Sequence, residues 1–113
     1  MLNYSINEIE GLKILALSGG LSAETIENFA SIVKQVTERE NIIINFENVT
    51  LVTSAGLNAL VDVSLFAKNH DKRVIILWPE NELMAMAEVL GFYNCLIFAQ
   101  SVDEAKMKIR YFT

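Results

Sequence analysis

The sequence holds a single cysteine, Cys95, a single histidine, His70, and a single proline, Pro79. One cysteine cannot close an internal disulfide, and together with one histidine it leaves too few soft ligands for an ordinary zinc site. Long apolar runs are missing too. The longest, such as Val74 to Trp78, have five residues, against the roughly twenty needed to span a bilayer. The opening Met1-Leu2-Asn3-Tyr4 has neither the basic region nor the apolar segment of a secretory signal. A cytoplasmic location without membrane insertion is therefore expected. Positive charge is scarce: nine Lys and Arg stand against fourteen Asp and Glu, for a formal net charge of −5 and a pI near 4.8. That balance disfavours nucleic acid and anionic membrane surfaces as partners. Neither a G-x-x-x-x-G-K-[ST] nor a G-x-G-x-x-G loop occurs, so no nucleotide-type cofactor is expected, and no metal. What is present is 113 residues, 52% hydrophobic, with a mean hydropathy of +0.33. That is one ordinary domain over residues 1–113, long enough to bury about two-thirds of its unfolded surface and too apolar to be disordered.

Local patterning predicts an alternation of strands and helices. Leu2 to Ile9 and Lys13 to Leu17 read as two strands joined by a tight turn at Glu10-Gly11, hence an antiparallel hairpin, with Ser18-Gly19-Gly20 breaking the second. From Ser22, the natural N-cap, Ile26, Phe29, Ala30, Val33 and Val36 form one helical stripe. Ile42 to Phe46 is a strand covered on both faces. Glu47 to Thr53 reads as a connection into a helix over about Ser54 to Lys68. Arg73 to Trp78 is a strand stopped by Pro79. Leu83, Met86, Ala87 and Leu90 mark a short helix closed by Gly91. Leu96 to Phe98 is a last strand, and Ser101-Val102-Asp103-Glu104 is a capping box opening the final helix. The expected fold class is α/β, with a mainly parallel sheet, one antiparallel edge strand and the order β-β-α-β-α-β-α-β-α.

In such a sheet, binding residues gather on loops beyond the carboxyl ends of the strands. Those loops are Ser18 to Ser22, Glu47 to Ser54 and Pro79 to Asn81, and the middle one carries the most unusual sequence, Thr53-Ser54-Ala55-Gly56-Leu57. Ser54 opens a helix, where free N–H groups and the positive dipole end favour an anion. A plain cap at Ser54 or Thr53 accounts for the same residues. Gly56 in a first helical turn costs about 1 kcal/mol relative to alanine, which implies either close packing on the sheet or the close approach of another group. On the helix after Ser54, Leu57, Leu60, Val61 and Leu65 share one side and should face the sheet. Ala59, Val63 and Phe66 make a second, opposite stripe that must meet a neighbouring helix, a partner or a second copy.

Other candidates are weaker. Ser54, His70 and Asp71 cannot form a triad, because the helix between them sets its ends about 20 Å apart. Cys95 sits beside an apolar strand and is expected in the core. Lys106, Lys108 and Arg110 read as a solvated helix face. No catalytic constellation is evident, and the chain is not expected to be an enzyme.

Element order and one motif together resemble the STAS family, the anti-sigma factor antagonist domains of bacteria, over about residues 3 to 110. The strongest segment is Ile43 to Leu60, Ile-Ile-Asn-Phe-Glu-Asn-Val-Thr-Leu-Val-Thr-Ser-Ala-Gly-Leu-Asn-Ala-Leu. There the family has a buried strand, an Asp-Leu-Ser-like turn, two apolar positions and Asp-Ser-[Ser/Thr/Ala]-Gly-Leu. Gly19-Gly20-Leu21-Ser22-Ala23 matches a second segment that often reads Gly-Glu-Leu-Asp-Ala.

The resemblance implies a protein that binds an anti-sigma factor, often a GHKL-type serine kinase, and thereby frees a sigma factor. Phosphorylation of the motif serine, here Ser54, ends binding, and a serine phosphatase restores it. It places partner contacts on Leu21, Ser22 and Thr53 in the loops, and on Ala55, Gly56, Asn58, Ala59, Asp62, Val63 and Phe66 along the helix. Two acids of the family pattern are replaced, by Thr53 before the serine and by Ser22 in the earlier loop. Both can cap a helix, but neither carries charge. STAS domains also serve membrane transporters, so the alternative is a stand-alone subunit that regulates or stabilises a transporter complex. A homodimer is a further arrangement open to the chain.

Overall fold

The computed structural model describes residues 2–112; Met1 and Thr113, the ends of the expected domain, lie outside the described residues. The chain opens with β1 (Leu2–Ile9) and β2 (Leu12–Leu21), joined by Glu10 and Gly11. Both turn residues have positive φ, 52° and 82°, the two-residue turn whose twist matches that of paired strands. There follow α1 (Ile26–Thr37), β3 (Ile42–Val52), α2 (Ser54–Asn69), β4 (Val74–Leu77), α3 (Asn81–Val89), a 3-10 turn over Tyr93–Cys95, β5 (Ile97–Ala99) and α4 (Val102–Phe112). The sheet order is β1-β2-β3-β4-β5. β1 pairs antiparallel with β2, and the remaining neighbours are parallel. This is the expected α/β order with the hairpin strand at one edge.

Alternation along the strands divides the core in two. Leu15, Leu17, Ile42, Ile44, Ile76 and Phe98 meet Phe29 and Val33 of α1, Leu57 and Leu60 of α2, and Leu83 of α3. Ile14, Ile43, Ile75 and Leu77 face the other way, against Ala105 and Ile109 of α4. The β-branched run Ile42-Ile43-Ile44 is fully buried on both faces, as a central parallel strand requires.

Local signals hold where the chemistry is local. After α3, Gly91 has φ 79°; its N–H bonds the Glu88 carbonyl and the Phe92 N–H bonds that of Ala87, a Schellman ending. The Ser101 hydroxyl accepts from the Glu104 N–H at 3.0 Å, while the Glu104 carboxylate accepts from Gln100, one residue before the expected reciprocal partner. At the hairpin turn, Lys106 hydrogen-bonds the Glu10 carboxylate and holds its pKa below the ordinary value of 4.5.

Several expectations are corrected. Ser18-Gly19-Gly20 does not end β2, and Glu47 to Thr53 is no loose connection, because β2 and β3 continue as a pair to Leu21 and Val52. Register irregularities between Ala16 and Ser18, and between Gly19 and Gly20, absorb the extra β3 residues. Gly19, at φ 106°, supplies backbone freedom that such bulges use. Ser22 is not the cap of α1, which begins at Ile26. The Thr25 hydroxyl accepts from the Ser22 N–H and donates to the Gly20 carbonyl, so residues 22–25 form a braced turn. Cys95 is exposed rather than core, because the last strand starts at Ile97, after the 3-10 turn. On α2, Leu65 is exposed, whereas Val63 is completely buried and Ala59 nearly so. Of the second stripe, Ala59 and Val63 pack into the core cluster shared with α1 while Phe66 stays half-buried, and Leu65 projects to solvent.

Candidate functional site

The carboxyl ends of β2 and β3 build one end of the molecule. Leu21 is paired with Val52, so Ser22 and Thr53 leave their strands side by side. Thr53 then does three things. Its N–H donates to the Leu21 carbonyl at 3.0 Å, its hydroxyl lies 3.5 Å from the same oxygen, and that hydroxyl accepts from the Gly56 N–H at 3.2 Å. Thr53 is thus the N-cap of α2, and it satisfies one of the donors that a helix start leaves open. Ser54 is the first helical residue.

Gly56 is explained by what it touches. A Cβ built there would lie 2.3 Å from the Leu21 carbonyl oxygen, 3.0 Å from its carbon and 3.2 Å from its Cγ. The opening turn of α2 therefore rests main chain against main chain on the end of β2. Close packing on the sheet is the reading realised, and Leu21 and Gly56, both buried, act as the seat of the site. Neither side of that junction is open to solvent.

Ser54 itself is exposed, and its hydroxyl is engaged by nothing among the described residues. The first turn of α2 carries no acidic side chain, so the dipole's positive end is uncompensated there. From Ser54, the exposed residues Asn58, Asp62 and Leu65 follow at i+4, i+8 and i+11, one stripe of the helix. Ala55 and Phe66 are half-buried beside it. At the far end, Phe66 stacks on His70 with centroids 4.3 Å apart. Lys34 of α1 lies 5.5 Å over the Phe66 ring and pairs with Asp62 at 2.9 Å. Ala59 and Val63 drop out of this surface by burial. Asn58, Asp62 and Phe66 remain on it, and Leu65 joins it.

The sequence reading missed a feature on the other flank. Leu51, 57% exposed, lies at the mouth of a groove of about 190 Å³ between the end of β3 and α3, with Phe46, Val49, Glu80, Leu83 and Met86 among its walls. The signal was the apolar and β-branched stretch Val49-Thr50-Leu51-Val52, which continues the strand. Among the described residues, no helix is long and apolar enough to cross a membrane, and no three His, Cys, Asp or Glu residues cluster so as to hold a metal ion.

Comparison with known proteins finds one family model, the STAS domain, matching residues 3–105. No curated protein matches by sequence. Solved structures match in fold. A putative anti-sigma factor antagonist from Thermotoga maritima superposes with a TM-score of 0.80 at 12% identity, over 95% of this chain and 94% of the other. The anti-sigma factor antagonist SpoIIAA of Bacillus, in its unphosphorylated form, gives 0.74 at 18% identity, over 96% and 97%. The murine anion transporter Slc26a9 gives 0.77 at 16% identity, over 93% of this chain and 18% of the transporter.

Proposed function

The chain belongs to the STAS domain family, and from that premise we propose that it is an anti-sigma factor antagonist switched at Ser54. It binds an anti-sigma factor, a GHKL-type serine kinase, and so frees a sigma factor. The observation that carries the reading is the exposed Ser54 at the first position of α2, held by the Thr53 cap and the Gly56–Leu21 contact and followed by the stripe Asn58, Asp62, Leu65. The stripe is the docking face, with Ser22 and Ala55 at its rim. The kinase transfers the terminal phosphoryl group of ATP to the Ser54 oxygen, and the hydroxyl proton leaves to a base on the kinase. The helix dipole tolerates the resulting charge of about −1.5 to −2 on the free protein. Within a packed interface the same charge must be desolvated, and the complex separates. A serine phosphatase restores binding. The chain itself performs no catalysis, and its work is cytoplasmic.

Thr53 and Ser22, which stand where the family pattern has acids, keep the local architecture without charge. That substitution, with the transporter-borne STAS fold among the structural neighbours, favours a second reading as a subunit of a transporter complex. Affinity purification from the native cell separates the two. A GHKL ATPase that labels wild type but not Ser54→Ala, with unchanged circular dichroism, supports the first. Equal labelling of both proteins removes Ser54 as acceptor, and a transporter ATPase or permease in place of the kinase supports the second.

A further inference from the structure

The free edge of β1 has the properties of a strand that pairs with itself. Among the described residues, β1 is the outer strand of the sheet and pairs only with β2, in unbroken register from Leu2 opposite Gly19 to Ile9 opposite Leu12. Natural edge strands of this length are guarded by lysine, proline, a bulge or a cover. β1 has no lysine, arginine or proline and no bulge. Its one charge, Glu8, is paired across the hairpin with Lys13 at 3.7 Å. Three large apolar side chains remain in solvent, Tyr4 at 54%, Ile6 at 42% and, beside the turn, Ile9 at 47% exposure.

The hairpin turn fixes which backbone groups face outward. In a two-residue hairpin the flanking pair, Ile9 and Leu12, exchanges hydrogen bonds, and such pairs then alternate along the strands. Odd residues of β1 therefore bond to β2. Leu2, Tyr4, Ile6 and Glu8 direct their N–H and C=O groups to the open edge. The segment Asn3-Tyr4-Ser5-Ile6-Asn7 reads alike in both directions: amide, large apolar, serine, large apolar, amide. An antiparallel partner related by a two-fold axis at Ser5 sets Tyr4 opposite the second copy's Ile6, Asn3 opposite its Asn7 and Leu2 opposite its Glu8. This register places even residues opposite even residues, so the outward groups form hydrogen-bonded pairs. It also sets an aromatic beside a β-branched side chain, a favourable cross-strand pair, and no like charges meet. Beside the strand lies a groove of about 200 Å³ between β1 and α1, lined by Leu2, Tyr4, Phe29 and Ile32.

We propose that the chain forms a two-fold dimer by β1–β1 pairing, which joins two five-stranded sheets into one. Because β2 of one copy runs antiparallel to β2 of the other, the two Ser54 sites lie at opposite ends and both stay open. The interface is two strands and a groove wide, below the size of large obligate interfaces, and so dissociates on dilution.

Sedimentation equilibrium tests this. Between about 1 and 500 µM, a range suited to a small interface, the mass should rise from 12.7 kDa towards twice that value. Ile6→Lys should weaken association at least about tenfold, as edge lysines do. Ile6→Pro should act likewise, since it removes an outward N–H and leaves the β2 ladder whole. Val89→Lys, at an exposed site on α3, should change nothing. In the wild type, exchange of the Tyr4 and Ile6 amides should slow as concentration rises. A mass of one chain throughout that range overturns the proposal. So does association unaffected by both Ile6 variants, or Tyr4 and Ile6 amides that exchange at the same rate at both ends of the range.

Discussion

Replacing Gly56 by alanine tests the seat of the site. Two effects oppose each other. In an ordinary early helical position, alanine gains about 1 kcal/mol over glycine. Here the added Cβ falls 2.3 Å from the Leu21 carbonyl oxygen, and both sides of that contact are main chain, so no side chain can swing away. Relief requires the start of α2 to lift from the end of β2. That lengthens the 3.0 Å bond from the Thr53 N–H to the Leu21 carbonyl. Overpacking of this kind costs about 1–3 kcal/mol, and a weakened, part-buried hydrogen bond adds about 1 kcal/mol. The expected balance is a loss of about 1–3 kcal/mol, read in urea as a lower midpoint at unchanged slope. Gly20→Ala is the matched control, since its Cβ meets only Leu51 Cβ at 3.9 Å and should shift stability by no more than about 0.5 kcal/mol. A Gly56→Ala protein as stable as wild type, or more so, refutes the main-chain seat.

Thr53→Ala should lose about 1 kcal/mol through the missing cap, and Thr53→Asp should recover it, both measured by chemical denaturation. Val63→Asp and Leu65→Asp, two residues apart, should behave oppositely. The first puts an unpaired carboxylate at a completely buried position and should cost at least about 3 kcal/mol or prevent folding. The second should stay within about 0.5 kcal/mol of wild type while weakening capture of the proposed partner, measured by calorimetry.

The order of elements was legible because hydrophobic periodicity reports burial directly, as in the stripe of α1 and the run Ile42 to Ile44. Gly91 and Ser101 were legible because their caps involve only near neighbours. The extent of β2 and β3 was not. Ser18-Gly19-Gly20 breaks strands on local propensity, and only pairing across the sheet, with its two irregularities, carries both strands to Leu21 and Val52. The faces of α2 were legible only in part, for a related reason. This helix touches the sheet and α1 together, so its buried arc is wide enough to take in Val63 as well as Leu60, and periodicity cannot tell a second buried face from an exposed one. At the site, Thr53, Ser54 and Gly56 stand out in the sequence, but the group that needs the glycine, the Leu21 carbonyl 35 residues earlier, is visible only in three dimensions.

The unequal strand lengths have a mechanical consequence. β4 leaves β3 after the rung between Asn45 and Leu77, while β1 stays paired with β2 as far as Leu2 opposite Gly19, so the sheet narrows to three strands and then to a two-stranded tip, Gly20-Leu21 beside Leu51-Val52. Two strands twist more than a broad sheet, and the β2–β3 pair is irregular once where β1 still flanks it and again at the start of this tip, between Gly19 and Gly20. The junction of Leu21, Thr53 and Gly56 is stiff within itself but is carried on a compliant arm. A protein pressing on Ser54 can tilt that arm while Ile42 to Ile44 and the layers around them keep their packing.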